Sequence, residues 1–389
     1  MTIVTNGVQS AVAASRSGRR TIETNVRLVF VQSQAGGVQE ISRILGSCLR
    51  GRGCEVHHAF LFRRNGNLDD YPNTFFCAQS KPSSIVSLLR MFIALVRLLK
   101  RLDPDVVVCF QHFGNIIGTL AAWIAGSRTV IVNRVSPRIS VPRYAWWLEH
   151  ALGLAGLFTR IVVNSEIMEN SYRKYPRWFR RRIVLIEHGF EPKVSNLTRE
   201  AARDELRLPA DVTLLGCAAR LHPTKNLGAA IRLLPDEPSW HLALAGYGPG
   251  RADLTSMAES LGVRDRLHFV GELPAERIGI FFKALDVFVF PTLAETFGLA
   301  VVEAANASVP IVANDLDIIR WVLAIDGKPC ALIVDVNDTK AFAEAVRCLI
   351  ENPELRATLC ARGAQLSSRF SRDAMTDRFL ALINDVNRP

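Results

Sequence analysis

Two hydrophobic periods alternate along this chain. Short apolar runs rich in β-branched residues read as buried strands: Val26–Val31, a run from Glu55, Val106–Phe110, Thr129–Val132, Ile161–Asn164 and the run opening Ile183–Gly189. The pattern resumes at Thr213–Ala218, Leu242–Ala245, His268–Gly271, Asp286–Phe290, Ile311–Asn314 and Ala331–Val334. Between them lie stretches with helical spacing, so strand, turn and helix repeat without internal hairpin runs. That order predicts an α/β protein built from doubly wound sheets.

Two segments need separate argument. Ile85–Leu102 is strongly amphipathic, with Arg90, Arg97, Lys100 and Arg101 interrupting an apolar surface. It reads either as an ordinary core-facing helix or as a helix lying on an anionic membrane; the internal arginines argue against a spanning segment. Residues 106–127 carry no charge, yet Gln111, His112, Gly114 and Asn115 divide the run into a strand and a helix starting near Ile116. His112 then stands at the carboxyl end of a strand, where open α/β sheets keep their ligands.

Length and charge sharpen the picture. A chain of 389 residues with 49% hydrophobic composition supports two cores. Residues 1–205 hold 28 Lys and Arg against 15 Asp and Glu, whereas 206–389 hold 19 against 22. The basic first half should face something anionic, and a membrane surface or lipid pyrophosphate suits it better than nucleic acid, for which no module is recognisable. Tyr175–Arg182 mixes aromatics with four arginines and reads as a surface face, a nucleic-acid patch or a membrane-contact loop. Eight cysteines without a C-x-x-C pair, and no His cluster of ligand spacing, predict reduced thiols and no metal site. Residues 1–25 read as a mobile polar tail, not a signal peptide, which places the protein in the cytoplasm.

The candidate chemistry sits at strand-to-helix turns. Arg220, Lys225 and Asn226 follow the strand Thr213–Ala218 and suit a diphosphate: Arg supplies a planar fork of donors and Lys a point charge. Gly36 and Gly37 open the first such turn, and Gly246 and Gly248 another; glycine there lets the backbone approach a phosphate or sugar. Around Pro291–Pro310, Glu295 precedes a helix start and Glu303 follows eight positions later. Two glutamates flanking an Ala-rich helix are ordinarily a solvated face. As a glycosidase pair they would stand too far apart were the stretch continuous helix, since eight helical residues span about 12 Å against separations of about 5–9.5 Å; the loop before Gly298 shortens this, so the separation alone does not exclude such a pair.

These motifs together resemble the family 4 retaining glycosyltransferases. Glu295 and Glu303 match the E-x7-E signature, and ARLHPTKNLGAAI, carrying Arg220, Lys225 and Asn226, is similar to the R-L-x3-K-N element. PDVVVCFQHFGN resembles the family's strand-plus-His turn, and Gly36–Gly37 its glycine-rich acceptor-side loop. Where many members carry a His after the next strand, this chain has Asn133 and Arg134. The resemblance implies a GT-B fold, two Rossmann-like domains facing a central cleft: 26–205 for the acceptor, 206–370 for the nucleotide sugar, and a helix in 371–389 crossing back. It further implies a catalytic set of His112, Arg220, Lys225 and Glu295. The donor would be held by Gly36, Gly37, Arg220, Lys225, Asn226, Gly246, Gly248, the amides of Phe297, Gly298 and Leu299, and Glu303 on the ribose. The expected reaction moves a hexose from a UDP- or GDP-sugar to a saccharide, with no cofactor. The expected acceptor is polyprenyl-pyrophosphate-linked, met at the inner face of the plasma membrane during surface polysaccharide synthesis. A soluble acceptor, a nucleotide-sugar epimerase and a non-catalytic sugar-nucleotide binder are the rivals.

Overall fold

A computed structural model describes residues 26–33, 36–63, 72–135 and 141–387; the expected tail 1–25 lies outside them. Among the described residues, seven parallel strands form the first sheet: β1 (Arg27–Gln32), β2 (Glu55–Phe60), β3 (Thr74–Phe76), β4 (Val106–Phe110), β5 (Val130–Asn133), β6 (Arg160–Val163) and β7 (Ile183–Leu185). Their order is β3-β2-β1-β4-β5-β6-β7. The second sheet has six parallel strands from β8 (Thr213–Ala218), β9 (Trp240–Ala245), β10 (Leu267–Gly271), β11 (Val287–Phe290), β12 (Ile311–Asn314) and β15 (Leu332–Val334), ordered β10-β9-β8-β11-β12-β15. β4 and β11 are buried along their whole length, as expected of parallel strands covered by helices on both faces.

The expectation of no hairpin fails at one place. β13 (Ala324–Ile325) and β14 (Lys328–Pro329) pair antiparallel across Asp326 and Gly327, both with positive φ. Such an Asp-Gly pair is the composition a tight two-residue turn requires. The segment was too short and polar to show as alternating strands.

Each sheet reverses its strand order once, and the reversals position the site. In the first sheet β1 and β4 part there, with helices α1 (Gly36–Arg50) and α3 (Gln111–Ala125) leaving their ends. In the second, β8 and β11 part in the same way. Two further helices matter below, α2 (Ile85–Leu102) and α4 (Arg143–Leu154).

The chain closes on its beginning. The helix Arg372–Val386 buries Met375, Phe379 and Ile383 against Leu28, Phe30, Ile41 and Ile44 of the first sheet and α1. Arg160 donates to Asp385 at 2.8 Å across this contact. Gly189 lets it form, since a Cβ there would lie 2.4 Å from Cα of Arg372.

Candidate functional site

Lys225 and Glu295 meet at the switch point of the second sheet. After β8 the chain makes one 3-10 turn, Pro223–Lys225, which ends on Asn226 in the left-handed region at φ 49. The loop after β11 binds to that turn: the Leu293 amide donates to the Thr224 carbonyl at 2.9 Å, and Thr292 Oγ1 donates to it at 3.2 Å. With the two loops so joined, Lys225 Nζ donates to Glu295 Oε1. Both side chains are largely buried yet retain some solvent contact, as suits groups that bind a polar ligand. Arg220 stands exposed on the same loop.

Gly246 and Gly248 serve this loop in a way the sequence did not disclose. A Cβ on Gly246 would lie 2.0 Å from the Ala219 carbonyl oxygen, and one on Gly248 2.3 Å from that of Leu221. They are glycines because the Arg220 loop rests directly on them. Their first effect is to place that arginine.

Gly298 sits at φ 87 and caps the helix Leu299–Asn306. The Phe297 side chain turns inward, packing on Phe370 at 4.9 Å and His188 at 5.3 Å. Its contribution to a ligand is thus restricted to its backbone, beside the unsatisfied amides of the helix start. Glu303 lies on the next turn, where burial pushes its carboxyl up to about 7; Lys193 opposes this shift, and Glu40 and Glu191 add to it. Lys193 Nζ lies 3.3 Å from Glu40 and 3.7 Å from Glu191, so Glu303 abuts a charged cluster joining α1 to the segment after β7.

His112 occupies the other switch point, in a different local structure from that expected. The helix begins at Gln111 rather than near Ile116, so Gln111, His112, Gly114 and Asn115 are its first turns and not a loop. The reason is Gln111 itself, whose φ of 64 reverses the chain in one residue while its side chain accepts from the Ser33 amide at 3.3 Å. His112 keeps its place at the end of β4. Burial holds its imidazole below the ordinary value, and neither ring nitrogen has a protein partner. Gly36 and Gly37 are the first two residues of α1, at the end of the neighbouring β1, rather than a loop before it.

The two switch points face one another. Thr296, next to Glu295, donates through Oγ1 to the Val135 carbonyl at 2.8 Å, so the β11 loop touches the chain leaving β5. Beside this contact a cavity of about 330 Å³ is lined by His112, Asn115, Arg134, Trp146, Glu149 and Tyr175, among others. Arg134 Nε lies 3.2 Å from Glu149 Oε1, which also accepts from Asn115 Nδ2 at 2.7 Å. Sequence reasoning singled out Arg134, named Asn115 only as part of the break between a strand and a helix, and missed Glu149 and His150. The signal available was in α4, where Trp146, Glu149 and His150 fall on one helical face.

His188 is buried with its pKa lowered to about 4 by desolvation, and it packs only edge-on against Phe297 among the ring contacts described. Among the described residues no group of three His, Cys, Asp or Glu is placed to hold a metal ion, and no helix is long and apolar enough to cross a membrane.

Comparison with known proteins places two family models along the chain. Residues 35–194 match the family described as Glycosyltransferase Family 4, and residues 198–365 match Glycosyl transferases group 1. The chain is 29% identical over 294 residues to the lipopolysaccharide core biosynthesis glycosyltransferase LpsD of Rhizobium meliloti, covering 74% of this chain and 77% of that protein. LpsE of the same organism, of the same description, is 32% identical over 196 residues, covering 49% and 56%. Among solved structures, HepE of Anabaena in complex with UDP-glucose superposes with a TM-score of 0.80 at 17% identity, over 92% of this chain and 100% of that one. At that identity the likeness speaks for the fold, which is GT-B.

Proposed function

Because the chain belongs to family 4 of the glycosyltransferases, we propose that it moves a sugar from a nucleoside diphosphate donor to a hydroxyl of a saccharide acceptor, with retention of anomeric configuration. The observation that carries this reading is the joined pair of loops at the second switch point, which sets Lys225 against Glu295 with Arg220 beside them. Arg220 and Lys225 bind the diphosphate and offset the charge it gains on leaving; fixed cations of this kind are worth about 3 kcal/mol each in transition-state stabilisation. Glu295 holds the donor sugar, and Glu303 accepts from the ribose hydroxyls. Asn226 and the amides of Phe297, Gly298 and Leu299 complete the donor site, and His112 approaches the transferred sugar from the other sheet.

The acceptor oxygen attacks the anomeric carbon on the face from which the diphosphate leaves. The C–O bond to the diphosphate breaks, the new glycosidic bond forms, and the acceptor proton passes to a diphosphate oxygen. No protein nucleophile and no metal ion take part, so a chelator leaves turnover unchanged.

The acceptor in this reading is a lipid-linked saccharide of a lipopolysaccharide or related surface polymer, met at the inner face of the plasma membrane. Supporting it are the names of the Rhizobium relatives and the outer face of α2. There Ile85 is 86% exposed, and Val86, Leu88, Leu89 and Ile93 are exposed with it. Arg90, Arg97, Lys100 and Arg101 are exposed on the same helix, while Met91, Leu95, Leu98 and Leu99 face the core. The helix thus has a core side and an apolar, basic outer side, a pattern that suits an anionic bilayer.

The test is nucleotide release from a panel of UDP- and GDP-sugars, with and without membrane lipid extract, followed by NMR of the product's anomeric proton. Lipid-dependent release with the donor's configuration kept supports the reading. Release that needs only a soluble acceptor overturns the lipid-linked part, and inversion overturns the same-face mechanism.

A further inference from the structure

We propose that the cavity beside His112 is a subsite for one sugar ring of the acceptor, in which Arg134 donates through Nη1 to a ring substituent oxygen. Calling that sugar the acceptor rests on the transfer reading above; the saccharide site itself stands on its own geometry.

Arg134 and Glu149 are both buried, their side chains 7% and 5% exposed. Glu149 fixes the guanidinium through Nε, and Asn115 fixes Glu149 in turn. The far side of the guanidinium is not satisfied in the same way. Nη1 is buried with no protein acceptor. Nη2 lies 3.1 Å from His150 Nδ1, but that nitrogen is also 2.7 Å from the Trp146 carbonyl, and one ring nitrogen cannot donate to the carbonyl and accept from the arginine together. A buried polar group without a partner is destabilising, and an oxygen-rich ligand removes that penalty. Both nitrogens of His112 and Oδ1 of Asn115, all buried, lack protein partners as well.

The rest of the lining points to carbohydrate. Trp146 and Tyr175 add aromatic surface for the C–H face of a ring, while the arginine, the carboxylate and the amide are suited to its hydroxyls. The volume, about 330 Å³, lies at the lower end of ligand cavities, enough for one ring rather than a chain. A nucleoside diphosphate fits less well, because Arg134 is already neutralised by Glu149 and neither Arg220 nor Lys225 lines the cavity. The link from Thr296 to Val135 sets this cavity beside the Glu295 loop, where an acceptor hydroxyl must arrive.

The experiment titrates the full chain, saturated with UDP, with neutral and uronic methyl pyranosides and follows tryptophan fluorescence. The expected result is a saturable response in about the millimolar range that is lost in Trp146→Phe. It weakens tenfold or more in the double variant Arg134→Gln, Glu149→Gln, which removes both charges together and leaves no carboxylate stranded. UDP affinity stays the same in each protein. Should the double variant not fold, Tyr175→Ala replaces it, with the same weakening expected. A response equal in wild type and variants, no response to any pyranoside, or UDP affinity that falls with the Arg134 change overturns the proposal. Saccharide binding through Arg134 in a chain that releases nucleotide from no donor leaves this site standing and defeats the transfer reading instead, so the two failures are separable.

Discussion

Gln111 shows how a single residue can set the position of a candidate site group. A left-handed glutamine costs about 1–2 kcal/mol over an ordinary helical one, and it lets His112 follow β4 without an intervening loop. Gly248 acts comparably on Arg220. Gly248→Ala is expected to push the Leu221 carbonyl away, lowering stability by about 1–3 kcal/mol and weakening UDP binding, measured by denaturant titration and calorimetry. Arg220→Lys keeps the charge but not the fork, and nucleotide release should fall about tenfold or more. At this scale the sequence disclosed residues that share one motif, such as Arg220 with Lys225. It did not disclose Asn115, Arg134 and Glu149 as a group, because they come from three elements and meet only when the sheet is formed. Nor could spacing reveal that Gly246 and Gly248 yield to a neighbouring loop, since that requires the distance across two strands.

Whole elements were largely legible from hydrophobic period. The strands β4, β8 and β12 and helix α2 have the bounds read from the sequence, because buried parallel strands are continuous apolar runs. What periodicity leaves open is which side of an apolar helix is covered. For α2 the exposed side is the more hydrophobic near its start, and Leu88→Glu with Leu89→Glu is expected to reduce sedimentation with anionic vesicles about tenfold or more without lowering the melting temperature. The helix Leu299–Asn306 carries a pH signature. Glu303 has its folded pKa raised from an ordinary 4.5 to about 7, so between those values the folded chain holds a proton that the unfolded chain releases. Its contribution to stability therefore declines as pH rises from about 4.5 to about 7. Glu303→Gln should flatten that decline and raise the melting temperature at pH 8 relative to wild type, as thermal unfolding across pH will show.

At the scale of the molecule, the two sheets are tied together where their strand ends meet and again behind them by the last helix. Gly189→Ala would press on Arg372 and should detach or shift that helix, lowering stability by about 1–3 kcal/mol, with hydrogen exchange rising first over residues 372–386. The excess of basic residues lies in the first half, the half that carries α2 and the exposed Trp147 and Trp178, whereas the loop proposed to bind the diphosphate belongs to the second half. In the proposed reaction, chemistry occurs where the two switch points face each other. The most direct test is the rate of nucleotide release from the best donor by the wild type and by His112→Ala, Lys225→Ala and Glu295→Gln, each checked for unchanged circular dichroism. All three variants are expected to lose about two orders of magnitude or more; folded variants that release nucleotide at the wild-type rate would place the chemistry elsewhere.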